Sequence, residues 1–190
     1  MSRWEPGAAE RLHTAALELA LEHGFAAITV PQITARAGLT TRTFFRHFTD
    51  KREVLFTGES VLPTVMAQVF ASAAPDLTPM EVIATSLRDV VAPRFDGLRD
   101  YLRLLRGVIR SDEGLREREL RKRSLIAEAG AAGFRDRGLN DLEATLAAQL
   151  AATVIDVAVG RWLDEDTERP LADIILETTT AMQAVVTRPS

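Results

Sequence analysis

The stretch Gly38-Leu39-Thr40-Thr41-Arg42-Thr43-Phe44-Phe45-Arg46-His47-Phe48 mixes hydroxyls, guanidinium groups and an imidazole with three phenyl rings. At helical spacing Leu39, Phe44 and Phe48 fall on one side, where they can anchor a helix to a core. Thr40, Thr41, Arg42 and Thr43 lie at the N-terminal end of the same helix. Arginine can donate two hydrogen bonds to a guanine edge, and threonine can bond a base or touch a thymine methyl. Arg46, His47 and the downstream Lys51 flank the helix and can reach phosphates. A solvated charged face on a small helical hairpin would use the same residue types, so the neighbouring elements have to decide.

Those elements are well punctuated. A helix over 8–23 carries Leu12, Ala16 and Leu19 on one face, with Gly24 placed to close it as a left-handed cap. Thr29 reads as an N-cap and Gln32 as its capping-box partner, with Ile28 and Ile33 as the hydrophobic staple and Pro31 in the first turn. That helix stops at Gly38, and Thr40 caps the next, which ends near His47. Two short helices joined by Ala37-Gly38-Leu39 are a helix-turn-helix, whose second helix can lie in a major groove. Asp50 is expected to cap a fourth helix, with Glu53 completing a capping box. The N–H groups at that helix start, near Lys51, are expected to face phosphate.

Longer helices follow. The fourth is expected over 51–73 with Pro63 inside it, where a proline costs about 3 kcal/mol or more in a straight helix, so a kink or break is expected near the carbonyl of Glu59. Thr78-Pro79-Met80-Glu81 opens a fifth, ending by Pro93. Further helices are expected over 98–110, over 113–137 up to Gly138, from the Asn140–Glu143 capping box to about 164, and over 170–186. Strand signals are nearly absent. The expected fold is all-α with about nine helices: a three-helix domain over 1–50 and a helical domain over 51–190.

Composition narrows the function. The 190 residues are 46% hydrophobic and 26% charged, as in a folded protein with ample core. Net charge is −4, but residues 1–53 hold seven Lys/Arg against six acids, and four of those bases fall within Arg42–Arg52. No cysteine is present, which excludes disulfides and thiolate chemistry and fits a reducing cytoplasm. No run of about 18 apolar residues suggests a membrane span, and the N-terminus lacks an apolar signal core. The three histidines are His13, His23 and His47, and His23 suits the C-terminal end of its helix. The acidic groups Asp112-Glu113 and Asp164-Glu165-Asp166 have no His or Cys near them. No nucleophile–base pair, phosphate loop or metal spacing appears, so neither an enzyme nor a metal protein is expected.

Residues 8–56 resemble the DNA-binding domain of TetR-family bacterial transcriptional regulators. The resemblance lies in His23-Gly24-Phe25, Ile28-Thr29-Val30, Ile33 through Thr40, Thr43 through Phe48, and Lys51 through Leu55. It covers about a quarter of the chain. It implies a homodimer that presents its third helix to each half of a palindromic operator in double-stranded DNA, with a C-terminal domain for a small effector. Positions matching Thr29, Thr40, Thr41, Arg42, Phe45, His47 and Lys51 commonly meet DNA in such proteins. Phe45 departs from the pattern: tyrosine is frequent there, and phenylalanine can pack on sugar but cannot donate to phosphate.

The resemblance also implies that the last two helices form a four-helix dimer bundle. Their apolar stripes are Leu142, Leu146, Leu150, Val154 and Val157, then Leu171, Ile174, Ile175, Met182, Val185 and Val186. Candidates for contact with a small apolar or amphipathic effector are Met66, Phe70, Phe95, Tyr101, Leu105 and Phe134; each could equally be core. Tyr101 needs a hydroxyl partner if buried. Arg99, Arg103, Arg106 and Arg110 could hold an acidic effector or form a solvated face. Asp156 could meet a ligand or pair across a dimer. In a repressor-type switch, an effector would tilt the fourth helix, with Pro63 and Gly58 as the place of movement. A DNA-binding dimer without an effector is the alternative, and a cavity of a few hundred Å3 would speak against it.

Overall fold

A computed structural model describes residues 7–56, 62–165 and 168–187. All regular structure among them is helical: α1 (Ala8–His23), α2 (Val30–Ala37), α3 (Thr41–His47), α4 (Leu62–Ala71), α5 (Pro79–Ser86), α6 (Arg99–Ser111), α7 (Glu113–Asp136), α8 (Asp141–Asp164) and α9 (Leu171–Thr187). Single turns of 3-10 helix cover Phe25–Ala27, Glu53–Phe56 and Ala92–Phe95, and a π-helical turn covers Leu87–Val91.

The punctuation expected from sequence sets the helix starts. Thr29 accepts from the Gln32 N–H while the Gln32 side chain accepts from the Thr29 N–H at 2.8 Å. The same reciprocal box joins Thr78 to Glu81 and Asn140 to Glu143. Between α2 and α3, Gly38 takes φ 65° and ψ 35°. Its N–H reaches Ala35, and the Leu39 N–H reaches Thr34 at 2.8 Å, so the last carbonyls of α2 are satisfied as the chain turns. Gly24 also has positive φ, but its ψ of 141° is extended, so it closes α1 without the expected left-handed conformation.

Two compact units result. One combines Met1–Ser60 with Tyr101–Leu120, the other Val61–Asp100 with Arg121–Ser190. This division differs from a simple boundary at residue 50, because most of α6 and the start of α7 pack with the N-terminal helices. In that first unit Phe44, Leu12, Ile33, Val54 and Leu115 are fully buried in one cluster, with Leu105, Val108 and Ile109 from α6. In the second unit Phe70 of α4 stacks on Phe134 of α7 with centroids 4.7 Å apart. The approach is close because residue 133 is glycine: a Cβ there would run into the Ala67 carbonyl.

The fourth helix differs from expectation. No continuous α-helix runs over 51–73, because Glu53–Phe56 is a 3-10 turn, and the described part of α4 spans Leu62–Ala71 with Pro63 in it. Gly58 and the Glu59 carbonyl lie outside the described residues. Asp50 does cap its turn, accepting from the Arg52 and Glu53 N–H groups at 2.7 and 3.0 Å, which occupies donors expected to face phosphate. Glu53 does not complete a box with Asp50; its carboxylate accepts from the N–H and hydroxyl of Thr49. The fifth helix passes Pro93 by widening into the π turn and then tightening into the 3-10 turn that ends at Phe95.

On α8 the expected stripe divides between two faces. The face toward its own unit is built of Ala144, Ala147, Ala148, Ala151, Val154 and Ala158, all buried. Leu142 is 70% exposed and Leu146 55%, with Val157 also exposed. By length and composition α8 could cross a membrane, but core helices of soluble proteins pass the same test. On α9, Ile174 and Ile175 are buried, whereas Val185 and Val186 are exposed.

Candidate nucleic-acid interface

α3 is held from behind and capped in front. Phe44 is fully buried and Phe48 nearly so, and their rings lie 5.3 Å apart between centroids. Leu39 is half-buried against the same cluster. The Thr40 hydroxyl accepts from the Thr43 N–H at 3.1 Å, and the two threonine hydroxyls share a further hydrogen bond at 3.0 Å. Thr41, Arg42, Phe45 and Arg46 form the outward face. Among the described residues neither Arg42 nor Arg46 has a partner, so both guanidinium forks are available to an anion or base edge. Phe45 is 57% exposed and meets Phe44 edge-on. An exposed phenyl flanked by two arginines suits a surface of sugars and thymine methyls.

The other candidates are more occupied. Thr29 is exposed at the start of α2, but its hydroxyl serves the capping box. His47 is half-buried beside Phe48. Lys51 is turned inward: its ammonium donates to the carbonyls of Phe25 and Ile28 at 2.9 and 2.8 Å and lies over the Phe25 ring. Burial pushes its pKa below the usual lysine value, only partly opposed by Asp112.

Contacts that sequence reasoning missed hold this face in place. Arg11 of α1 donates to the Ala37 carbonyl at 2.6 Å, closing the end of α2 just before the turn. Arg36 makes a two-pronged pair with Glu22, at 2.9 and 2.8 Å, and reaches Glu18. That hydrogen bond holds the Glu22 carboxyl below its usual pKa. Arg118 of α7 donates to Asp50 at 2.7 Å. His13 Nδ1 donates to the Val54 carbonyl at 2.7 Å, and its Nε2 meets the Tyr101 hydroxyl. No local spacing signals any of these, because each joins residues more than ten positions apart.

The six effector candidates divide between the two units. Tyr101 and Leu105 belong to the core of the first unit, where His13 is the partner that the tyrosine hydroxyl needs. Met66, Phe70, Phe95 and Phe134 belong to the second unit. Phe70 and Phe134 are fully buried against each other, while Phe95 meets Trp162 edge-on. An open hollow of about 320 Å3 lies between α7 and α8, lined by Ala127, Glu128, Ala131, Arg135, Thr145 and Gln149, none of them a candidate. Arg99 lies over Trp162 and donates to the Trp162 and Glu165 carbonyls at the end of α8. Asp156 is half-exposed and pairs with Arg123 of α7 at 2.5 Å, within its own chain.

The helix-turn-helix geometry coincides with a family match. Residues 12–57 match the family described as bacterial regulatory proteins, tetR family. That match covers the helix-turn-helix segment, about a quarter of the chain. The fold of the chain resembles solved structures along its length: a TetR-family transcriptional regulator from Mesorhizobium loti superposes with a TM-score of 0.60 at 20% identity, covering 97% of this chain and 98% of that one. FadR from Thermus thermophilus, a TetR-family repressor solved with lauroyl-CoA, superposes with a TM-score of 0.57 at 22% identity, covering 96% of each chain. The transcriptional regulator TcmR of Streptomyces glaucescens is 32% identical over 88 residues, which span 46% of this chain and 39% of TcmR.

Proposed function

We propose that the protein is a sequence-specific transcriptional regulator that binds double-stranded DNA as a homodimer. Residues 1–50 form its DNA-binding domain, and 51–190 its effector-binding and dimerisation domain. The observation that carries this reading is the outward face of α3: Thr41, Arg42, Phe45 and Arg46 stand exposed on a helix whose inner face is locked by Phe44 and Phe48. A short helix so anchored, following a glycine turn, has the form that enters a major groove. The exposed leucines of α8 support dimerisation through α8 and α9, and a twofold dimer reads a palindrome. Repression from the cytoplasm, relieved by a small apolar or amphipathic effector, completes the reading. The FadR structure with lauroyl-CoA supports an effector of that character.

Met66, Phe70, Phe95 and Phe134 remain the proposed effector contacts. A ligand among them must part the Phe70–Phe134 stack, so the bound state differs from the packed one by its differential affinity for an opened second unit. The closed stack also favours a second reading, a DNA-binding dimer that takes no effector. Selection from a random DNA pool at near-physiological salt tests the first claim. A recovered palindrome supports a dimeric, sequence-reading regulator; no enrichment would refute sequence-specific binding by the free protein. Release of the recovered duplex by lauroyl-CoA or another amphiphile then separates the two readings.

A further inference from the structure

We infer that Lys51 is a positioning residue, whose ammonium clamps the loop leading into α2 so that Thr29 and the α2 N-terminus are presented to DNA, and that it makes no phosphate contact itself. The inference rests on the DNA-binding reading above. An ammonium has three N–H donors. Those of Lys51 point to the carbonyls of Phe25 and Ile28, at 2.9 and 2.8 Å, and more loosely to that of Ala26 at 3.4 Å. These carbonyls belong to a single 3-10 turn and to the residue that follows it, and short helical turns leave such acceptors without internal partners. The Phe25 ring, itself buried, lies 4.6 Å from the same nitrogen.

Ile28 immediately precedes the Thr29 cap, so the clamp and the start of α2 share one piece of backbone. The segment bearing Lys51 is itself secured, since Asp50 caps the turn and receives Arg118. To reach a phosphate, Lys51 would have to give up its hydrogen bonds to the Phe25 and Ile28 carbonyls. Arg42 and Arg46, by contrast, give up nothing.

The test uses full-length protein with Lys51→Met and Lys51→Arg. In free protein, hydrogen exchange at the amides of residues 24–32 should quicken by roughly tenfold or more in Lys51→Met, with the remaining core unchanged. Lys51→Arg should quicken it too, because a planar guanidinium cannot aim three donors at carbonyls converging on one point. On the selected palindrome both variants should bind at least about tenfold more weakly at every salt concentration, with the slope of log affinity against log salt unchanged. A slope reduced by about one in Lys51→Met, with binding restored by Lys51→Arg and exchange unaltered, would identify a phosphate contact and overturn the inference. Unchanged affinity would overturn it as well. If wild-type protein selects no DNA sequence, the DNA reading fails, while the exchange measurement still decides whether the clamp exists.

Discussion

α3 and α8 each leave one face uncovered, and they do so in opposite ways. α3 turns Phe44 inward and shows Thr41, Arg42, Phe45 and Arg46 outward. α8 turns alanines inward and shows Leu142, Leu146 and Val157 outward. Small residues inside let the neighbouring helices of the same chain approach closely. Large apolar residues left outside then form a surface that water covers at a cost and a like surface covers at a gain. The α3 face offers the reverse: donors and positive charge that gain from an anion. The chemistry of the uncovered face, more than its exposure, indicates what it is for.

The contrast can be broken most forcefully at Phe44. Phe44→Ala should cost about 3–5 kcal/mol of unfolding free energy in urea titrations. Phe45→Ala, one residue on, should stay within about 0.5 kcal/mol. Equal costs would show that the inner and outer faces of α3 are misassigned. Next in size, Leu142→Asp combined with Leu146→Asp should yield a monomer in sedimentation at micromolar concentration, with helix content preserved. Binding to the palindrome should fall about 100-fold, near 2.7 kcal/mol, since each 1.4 kcal/mol is a factor of ten. A dimer that survives would move the interface off α8.

Smaller effects sharpen the α3 side. Arg42→Ala should weaken the selected site by about 1–3 kcal/mol and relax preference at one base pair. Uniform weakening on every duplex would make Arg42 a phosphate contact instead. Thr40→Ala removes the α3 cap and should lower stability by about 1 kcal/mol; a neutral result would mean that tertiary packing alone holds the helix start. The smallest effect is a pH dependence outside both faces. The Thr78 hydroxyl, and then its N–H, hold the Glu81 carboxyl below its usual 4.5. A carboxyl depressed in the folded state contributes fully above its unfolded value and loses that contribution as pH falls through the folded one. Glu81→Gln should therefore lower the thermal midpoint slightly at pH 7, and the gap to wild type should close in acid.

Many features set by near neighbours are legible in the sequence, although the Gly24 cap and the Asp50–Glu53 box are not. The Thr29–Gln32, Thr78–Glu81 and Asn140–Glu143 boxes, the Gly38 turn and the burial of Phe44 and Phe48 all follow from residues within a few positions of one another. Local spacing is silent where a side chain meets a distant partner. Lys51 donates to the Phe25 and Ile28 carbonyls. Tyr101 finds its hydroxyl partner in His13. The α8 stripe looked continuous because periodicity groups apolar residues without saying which side faces the chain's own core.

The sequence alone therefore determined most of the helices, the helix-turn-helix and the residue types on its outer face, because caps, glycine turns and 3.6-residue periodicity act over a single turn of chain. Tertiary structure alone decided that α6 shares the N-terminal core, that Phe70 and Phe134 close on each other, and that α8 buries alanine and exposes leucine. Those outcomes depend on which side chains meet across tens of residues, and they are set by volume and by the pairing of buried polar groups, neither of which is written in local spacing.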